Sequence, residues 1–184
     1  GSSETYTGNT SIDGGTCFVR SITTTANPFG NSGGSATVFL NNGSAVLANA
    51  VSSGTGNTVI LRSGYTLSLG SGGGNLGALS GYVFQVEGNI TGTGSLTVNQ
   101  PGLLVLHGAG SDFSGGTTIS DGSVVQFQVN GALGNAAGTV TLNGGCLKND
   151  GTGTALGSGR LVTLGANHGY LDAGWGDGPG GAAD

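Results

Sequence analysis

Short apolar-alternating runs, separated by clusters of Gly, Asn, Ser and Thr, set the tightest limit on how this chain folds. Between Gly94 and Leu147 the pairs Leu96/Val98, Leu104/Leu106 and Val140/Leu142 recur in this way. Runs that short, punctuated that often, predict β-strands joined by tight turns, and no stretch carries a helical period. The stretch also has an earlier copy in the chain. Tyr6–Ile12 lines up with Phe113–Ile119, 107 residues later, and Thr37–Gly43 with Thr139–Gly145, 102 residues later. Asn27–Asn31 matches Gly131–Asn135 between them. The drop from 107 to 102 gives the first copy five extra residues, expected in the loop around Thr23–Ala26. Further on, Thr58–Leu61 matches Leu161–Leu164, and Leu67 and Leu69 fall on Leu171 and Ala173.

Self-similarity of this kind belongs to stacked, quasi-one-dimensional architectures. A β-solenoid is the all-β form that fits, because each coil needs Gly or Asn at its corners and Thr, Val, Ile and Leu on its faces. Composition agrees: 42 of 184 residues are glycine, 3 are proline, and 7% are charged. Glycine without triplet spacing excludes a collagen helix. A 35% hydrophobic content with so little charge argues against simple disorder. The expected organisation is a single elongated solenoid domain over residues 1–184. Repeat copies cover about 5–70 and 112–174, and a Gly-rich tail at 175–184 carries a lone Trp175. Along the way, Thr58–Arg62, Thr66–Leu69, Tyr82–Val86, Leu161–Leu164 and Tyr170–Ala173 read as strands. Ser71–Ser80 reads as a Gly-rich turn or protruding loop. Gly1–Thr5 has no basic or apolar leader pattern, and no run approaches the roughly 20 apolar residues of a membrane helix.

A family resemblance rests on particular segments. The pattern Thr-Leu-Thr-Leu-Ser-Gly-Ala-Asn-Thr-Tyr-Thr-Gly-Gly-Thr-Thr-Ile, then Gly-Ala-Leu-Gly and Thr-Val-Thr-Leu-Asn-Gly-Gly, typifies the autotransporter passenger-associated β-strand repeat. The chain resembles it at Leu104–Leu106, Phe113–Ile119, Gly131–Gly134 and Thr139–Gly145. Leu164–Asn167 and Gly169–Asp172 look like that family's next segment, so the likeness covers about 94–174 and, less closely, 5–70. The resemblance implies a right-handed parallel β-helix, secreted to the bacterial cell surface or the extracellular space. It implies no activity, since such repeats serve as stalks in proteins of many functions. The chain departs from a complete autotransporter in lacking a C-terminal membrane barrel.

The chemistry-bearing residues point away from catalysis. Arg20, Arg62, Lys148 and Arg160 are dispersed in a chain of net charge −5, which opposes nucleic-acid binding. Glycoside hydrolysis would need paired carboxylates, and Glu87, Asp112 and Asp121 are the nearest candidates. Both aspartates sit beside turn residues, where Asp bonds local backbone amides. Alternation with Leu104 and Leu106 turns His107 outward, and His168 falls in a turn. No calcium-binding nonapeptide and no zinc spacing occurs. The expectation is therefore no catalytic residue, no cofactor and no metal. The sequons at Asn9, Asn42 and Asn89 are of a kind that an Asn/Ser/Thr-rich chain throws up by chance.

Cys17 and Cys146 stand 129 residues apart. At roughly 20–25 residues per coil and ~4.8 Å per rung, that is about 25–30 Å, too far for a disulfide. Cys17 aligns with Val124, which suggests a buried core thiol. Cys146 aligns with Ser44 and should point outward, where it could bond a partner chain. Leu103 and Val105 should form an outward apolar patch. Cys146, Leu103, Val105 and Trp175 are thus the candidate interface residues. Neither terminus reads as a cap, so the chain is expected to be excised from a longer passenger or to self-associate end to end. A structural module of a surface stalk, adhesin passenger or extracellular fibre follows. The alternative is a glycan- or surface-binding module using Thr-rich faces. The Thr-x-Thr motifs at Thr91, Thr139 and Thr152 are too irregularly spaced for a flat ice-binding face, and a polysaccharide-active enzyme comes third.

Overall fold

A computed structural model describes residues 7–20, 29, 35–49, 57–150 and 156–172. Its strands follow one another around a three-sided path. The first turn supplies β1 (Thr10–Asp13) and β2 (Thr16–Val19). The next supplies β3 (Ala36–Asn41), β4 (Ala45–Ala48) and β5 (Thr58–Leu61). Two full turns come after, as β6 (Tyr65–Leu69), β7 (Gly74–Ala78) and β8 (Val83–Val86), then β9 (Ile90–Gly92), β10 (Leu96–Val98) and β11 (Leu103–Leu106). The later turns give β12 (Thr117–Ser120) and β13 (Val124–Phe127), then β14 (Val140–Asn143) and β15 (Cys146–Asn149), then β16 (Val162–Leu164) and β17 (Tyr170–Asp172). A 3₁₀ turn at Asn130–Leu133 precedes β14.

Among the described residues these strands form three parallel sheets: β1-β3-β6-β9, β16-β14-β12-β10-β7-β4-β2, and β17-β15-β13-β11-β8-β5. Successive strands thus visit the sheets in turn, the arrangement compatible with a β-solenoid. In the seven-stranded sheet, Asn75, Thr97, Thr118, Thr141 and Thr163 occupy one register position. The rung is therefore about 22 residues long over the second half of the chain.

Period-two alternation explains the core. Leu104 and Leu106 point inward with Phe84 and Val86 on one side and Val125 and Phe127 on the other. All six are buried. In the seven-stranded sheet the inward column runs Cys17–Val46–Leu76 and, one register step on from Asn75/Thr97, Val98–Ile119–Leu142–Leu164. Each fully buried aliphatic side chain contributes about 1.5–3 kcal/mol. Stacking like on like is what allows the column to lengthen without changing its cross-section. Corners are turned by left-handed backbone, as at Asn42 and Gly43 (φ 53° and 69°) and at Asp121 and Gly122 (φ 56° and 74°). Asn and Asp tolerate that region because a short polar side chain bonds locally.

Two expectations need correction here. The stretch Ser71–Ser80 is not a protruding loop, since it contains β7, an interior strand of the seven-stranded sheet. Its glycines make it look like a turn, but Gly74 lies against Leu69 and Leu40, and Gly77 against Gln100, where a Cβ would crowd those side chains. Cys17 does not correspond to Val124 either. Cys17 faces inward beside Val46, whereas Val124 pairs with Leu103 and Cys146 on the outer surface of a different sheet.

The aligned copies occupy different sheets. Thr10–Ile12 lies in the four-stranded sheet and Thr117–Ile119 in the seven-stranded one. All three sides ask the same of a strand: four alternating residues, then a corner. Similar sequence therefore marks similar local geometry rather than one face. The five-residue insertion expected near Thr23–Ala26 lies outside the described residues.

Candidate functional site

The outer surface of the six-stranded sheet gathers three of the four nominated interface residues. Register carries one outward column through Thr58, Val83, Leu103, Val124, Cys146 and Tyr170. A second runs through Ile60, Gln85, Val105, Gln126, Lys148 and Asp172. Leu103 and Cys146 thus stand two rungs apart in one line. The apolar patch expected at Leu103 and Val105 is corrected in one respect: Val105 is only 7% exposed and Leu103 is half-buried. In a parallel ladder every outward side chain has a neighbour about 4.8 Å away on each side. Val105 sits between two longer side chains, Gln85 and Gln126, which take its place at the surface. Trp175 lies outside the described residues.

Charges on this surface pair among themselves. Arg62 meets Glu87 at 4.0 Å, Gln85 Nε2 donates to Glu87 Oε1 at 3.3 Å, and Lys148 meets Asp172 at 3.3 Å. The aspartates weighed for catalysis have local partners. Asp121 sits in a left-handed corner where its Oδ2 accepts from the Ser120 hydroxyl, and the Asp112 amide donates to Ile90 O at 3.0 Å on another side.

Both cysteines are free. They occupy the first and sixth turns of the stack, Cys17 on β2 and Cys146 on β15, in different sheets. Burial raises both thiols above their ordinary range. At Cys146 the Asp172 carboxylate adds to that and Lys148 opposes it. Each folded thiol therefore holds its proton to higher pH than the unfolded one. The stability this contributes is present at neutral pH and is lost as pH rises above the ordinary thiol range. Iodoacetamide should alkylate both cysteines more slowly in the native chain than in urea at the same pH, read by mass spectrometry. Equal native and unfolded rates would contradict the assignment.

The first and last described rungs expose members of the core columns. Leu164 continues the buried line of Ile119 and Leu142 but is 62% exposed. Leu171 continues the line of Val125 and Leu147 and is 58% exposed. At the opposite end Ile12 and Cys17 are half-buried, and Phe18, which alternates outward, is 53% exposed.

Two features escaped the sequence reading. Arg160, one of four cations scattered along the sequence, is only 9% exposed and spends all five of its N–H donors on the turn below it. Nε donates to Asn130 Oδ1 at 2.7 Å. Nη1 donates to Leu133 O and Gly138 O, both at 3.1 Å. Nη2 donates to Asn130 O at 3.0 Å and Gly134 O at 2.9 Å. Burial lowers its pKa from the ordinary arginine value. The second feature is a threonine column, Thr97–Thr118–Thr141–Thr163, outward on the seven-stranded sheet. It draws one residue from each rung, so a search for Thr-x-Thr pairs meets it only at Thr141. A 22-residue spacing search finds it, as Leu-Thr-Val, Thr-Thr-Ile, Val-Thr-Leu and Val-Thr-Leu again.

Among the described residues no helix is long and apolar enough to cross a membrane. No family model, no curated protein and no solved structure matches this chain.

Proposed function

We propose that this chain is a structural module, a right-handed parallel β-helix that forms part of a secreted bacterial stalk, adhesin passenger or extracellular fibre and associates end to end. The observation that carries the reading is the state of the core columns. Among the described residues they continue like on like from rung to rung, and their last members, Leu164 and Leu171, leave apolar surface in water. Parallel backbone ladders make such a stack stiff in bending, and an edge strand presents N–H and C=O groups that a further rung would satisfy. Stacking a second copy buries both at once. Head-to-tail contacts of this kind do not close and so give filaments.

Negative-stain electron microscopy of the purified chain at rising concentration tests this. Rods should lengthen with concentration in steps of at least about 34 Å, the seven described rungs at ~4.8 Å each. Particles of one length at every concentration would overturn end-to-end association.

The threonine column favours a second reading, a module that binds glycan or another regular surface. Thr97, Thr118, Thr141 and Thr163 repeat at one-rung intervals with Asn75 before them. Glycan-array binding by particles that do not lengthen would favour it.

A further inference from the structure

We infer that two copies of this chain pair side by side through the outer face of the seven-stranded sheet, sheet against sheet, with Thr97 near the middle of the contact. The pairing goes beyond end-to-end association and does not depend on it, because it uses a side of the stack and neither end.

Charge selects the face. No Asp, Glu, Lys, Arg or His lies within β2, β4, β7, β10, β12, β14 or β16. The other two sheets differ. Asp13 lies on β1, Lys148 on β15 and Asp172 on β17, and Arg62, Glu87 and His107 directly follow β5, β8 and β11. A chain of net charge −5 repels its own copies. The repulsion is smallest where two charge-free faces meet, and no ion there has to be stripped of water. Depletion of charge is also what marks the core of a protein interface.

Profile and size fit a second copy. One outward column runs through Thr16, Ala45, Asn75, Thr97, Thr118, Thr141 and Thr163. Thr97, Thr118 and Thr141 are half-buried and Thr163 is exposed. Four threonines in line present an even row of methyl and hydroxyl groups, one per rung. Beside them the amides are tied to one another: Asn75 Nδ2 donates to Asn99 Oδ1 at 2.7 Å, and Gln100 Nε2 donates to the same oxygen at 3.2 Å. Two such faces can pack about 10 Å apart, as stacked sheets do. Seven strands at ~4.8 Å, each of about four residues at ~3.3 Å, give roughly 450 Å² of flat area per copy. The pair covers about 900 Å² before the relief of the side chains is counted, close to the ~1,000 Å² at which specific interfaces begin. The contact uses the same patch on both copies, so it closes at two.

The test is solution X-ray scattering from the full chain, read as mass per unit length, which end-to-end growth leaves unchanged. Raising the concentration should double that value and then hold it. Thr97→Glu sets like charges against each other on the central strand and should keep the single value throughout at low salt. An equimolar mixture of Thr97→Glu and Thr97→Lys should regain the double value, which a folding defect would not allow. Should Thr97→Glu fail to fold, Thr118→Glu on the adjoining strand, mixed with Thr118→Lys, takes its place. Gln126→Glu, outward on the six-stranded sheet, should pair as the parent chain does. A parent chain that stays single, a Thr97→Glu chain that pairs normally, a mixture that stays single or a Gln126→Glu chain that stays single overturns the contact. Glycan-array binding that Thr97→Glu abolishes, from a chain that never doubles, assigns the face to a glycan instead. Rod length is read separately, so end-to-end association stands or falls on its own result.

Discussion

Replacing Arg160 with methionine should lower the stability of the chain by about 3–5 kcal/mol, because several oxygens it bonds, all neutral, are left unpaired. The guanidinium is a hub for Asn130, Leu133, Gly134 and Gly138, accepting nothing and donating five hydrogen bonds to them. Methionine fills similar space and offers no donor. Four backbone carbonyls and one amide oxygen then lose a partner, and each buried polar group left unpaired costs about 1–3 kcal/mol. Water reaching the site recovers part of this, which holds the total below the simple sum.

The position of the cluster explains why a cation is used there. In the rungs below, the four-stranded sheet closes the third side with β3, β6 and β9. At Asn130–Leu133 the chain makes a 3₁₀ turn instead, with Ala132 and Leu133 buried, and just after it the Asn135 amide donates to Phe113 O outside any strand ladder. The carbonyls that a ladder would have satisfied converge, and one planar fork from the following rung satisfies them together. Arg160→Lys should recover only part of the loss, because a single ammonium cannot reach five acceptors. Arg62→Ala, at a surface pair 4.0 Å from Glu87, should cost less than about 1 kcal/mol. Urea unfolding followed by circular dichroism measures all three. An Arg160→Met variant as stable as Arg62→Ala would show that the cluster does not hold the turn.

The stacked strands were legible because strand, corner and strand each leave a local mark: Leu104 and Leu106 alternate, Asn42–Gly43 and Asp121–Gly122 turn. The rung itself was harder to see. The offsets of 107 and 102 align strands that sit on different sides of the stack, since every side selects the same short pattern. The 22-residue recurrence of a central threonine, from Thr97 to Thr163, tracks one side and would have revealed the column. The glycines of β7 misled because glycine has two causes: a backbone conformation other residues avoid, or a neighbour too close for a Cβ. Arg160 was illegible for a different reason. Its partners are mostly backbone carbonyls 22 to 30 residues away, and carbonyls carry no sequence signature. The outward line joining Leu103 to Cys146 likewise depends on register, which the alternation within each strand does not supply.

Those two causes of glycine separate cleanly in a pair of substitutions, and the larger effect belongs to Gly94. Gly94→Ala should destabilise by about 3 kcal/mol or more, at or beyond the upper end for overpacking. A Cβ there would overlap the Gly70 carbonyl oxygen and lie 2.8 Å from both the Cα and the nitrogen of Gly73. These are backbone atoms of the rung below, so no rotamer change relieves the clash and the stack itself must part. The Gly115 amide donates to Gly94 O at 3.2 Å, and a Cβ on Gly115 would strike the Gly94–Ser95 backbone, so the same corner is closed from rung to rung. Gly122 is the opposite case: its φ is 74° and nothing lies within 4 Å of where a Cβ would stand. Gly122→Ala should cost only about 1–2 kcal/mol, the left-handed penalty for an L-residue. Asparagine sharpens the contrast. Gly122→Asn should lose less than Gly122→Ala, since Asn accepts left-handed backbone, while Gly94→Asn should be at least as damaging as Gly94→Ala because it adds atoms where there is no room. Thermal melts of the four variants order them, and a Gly94→Ala chain that melts with Gly122→Ala would mean that the rungs are not stacked backbone to backbone at that corner.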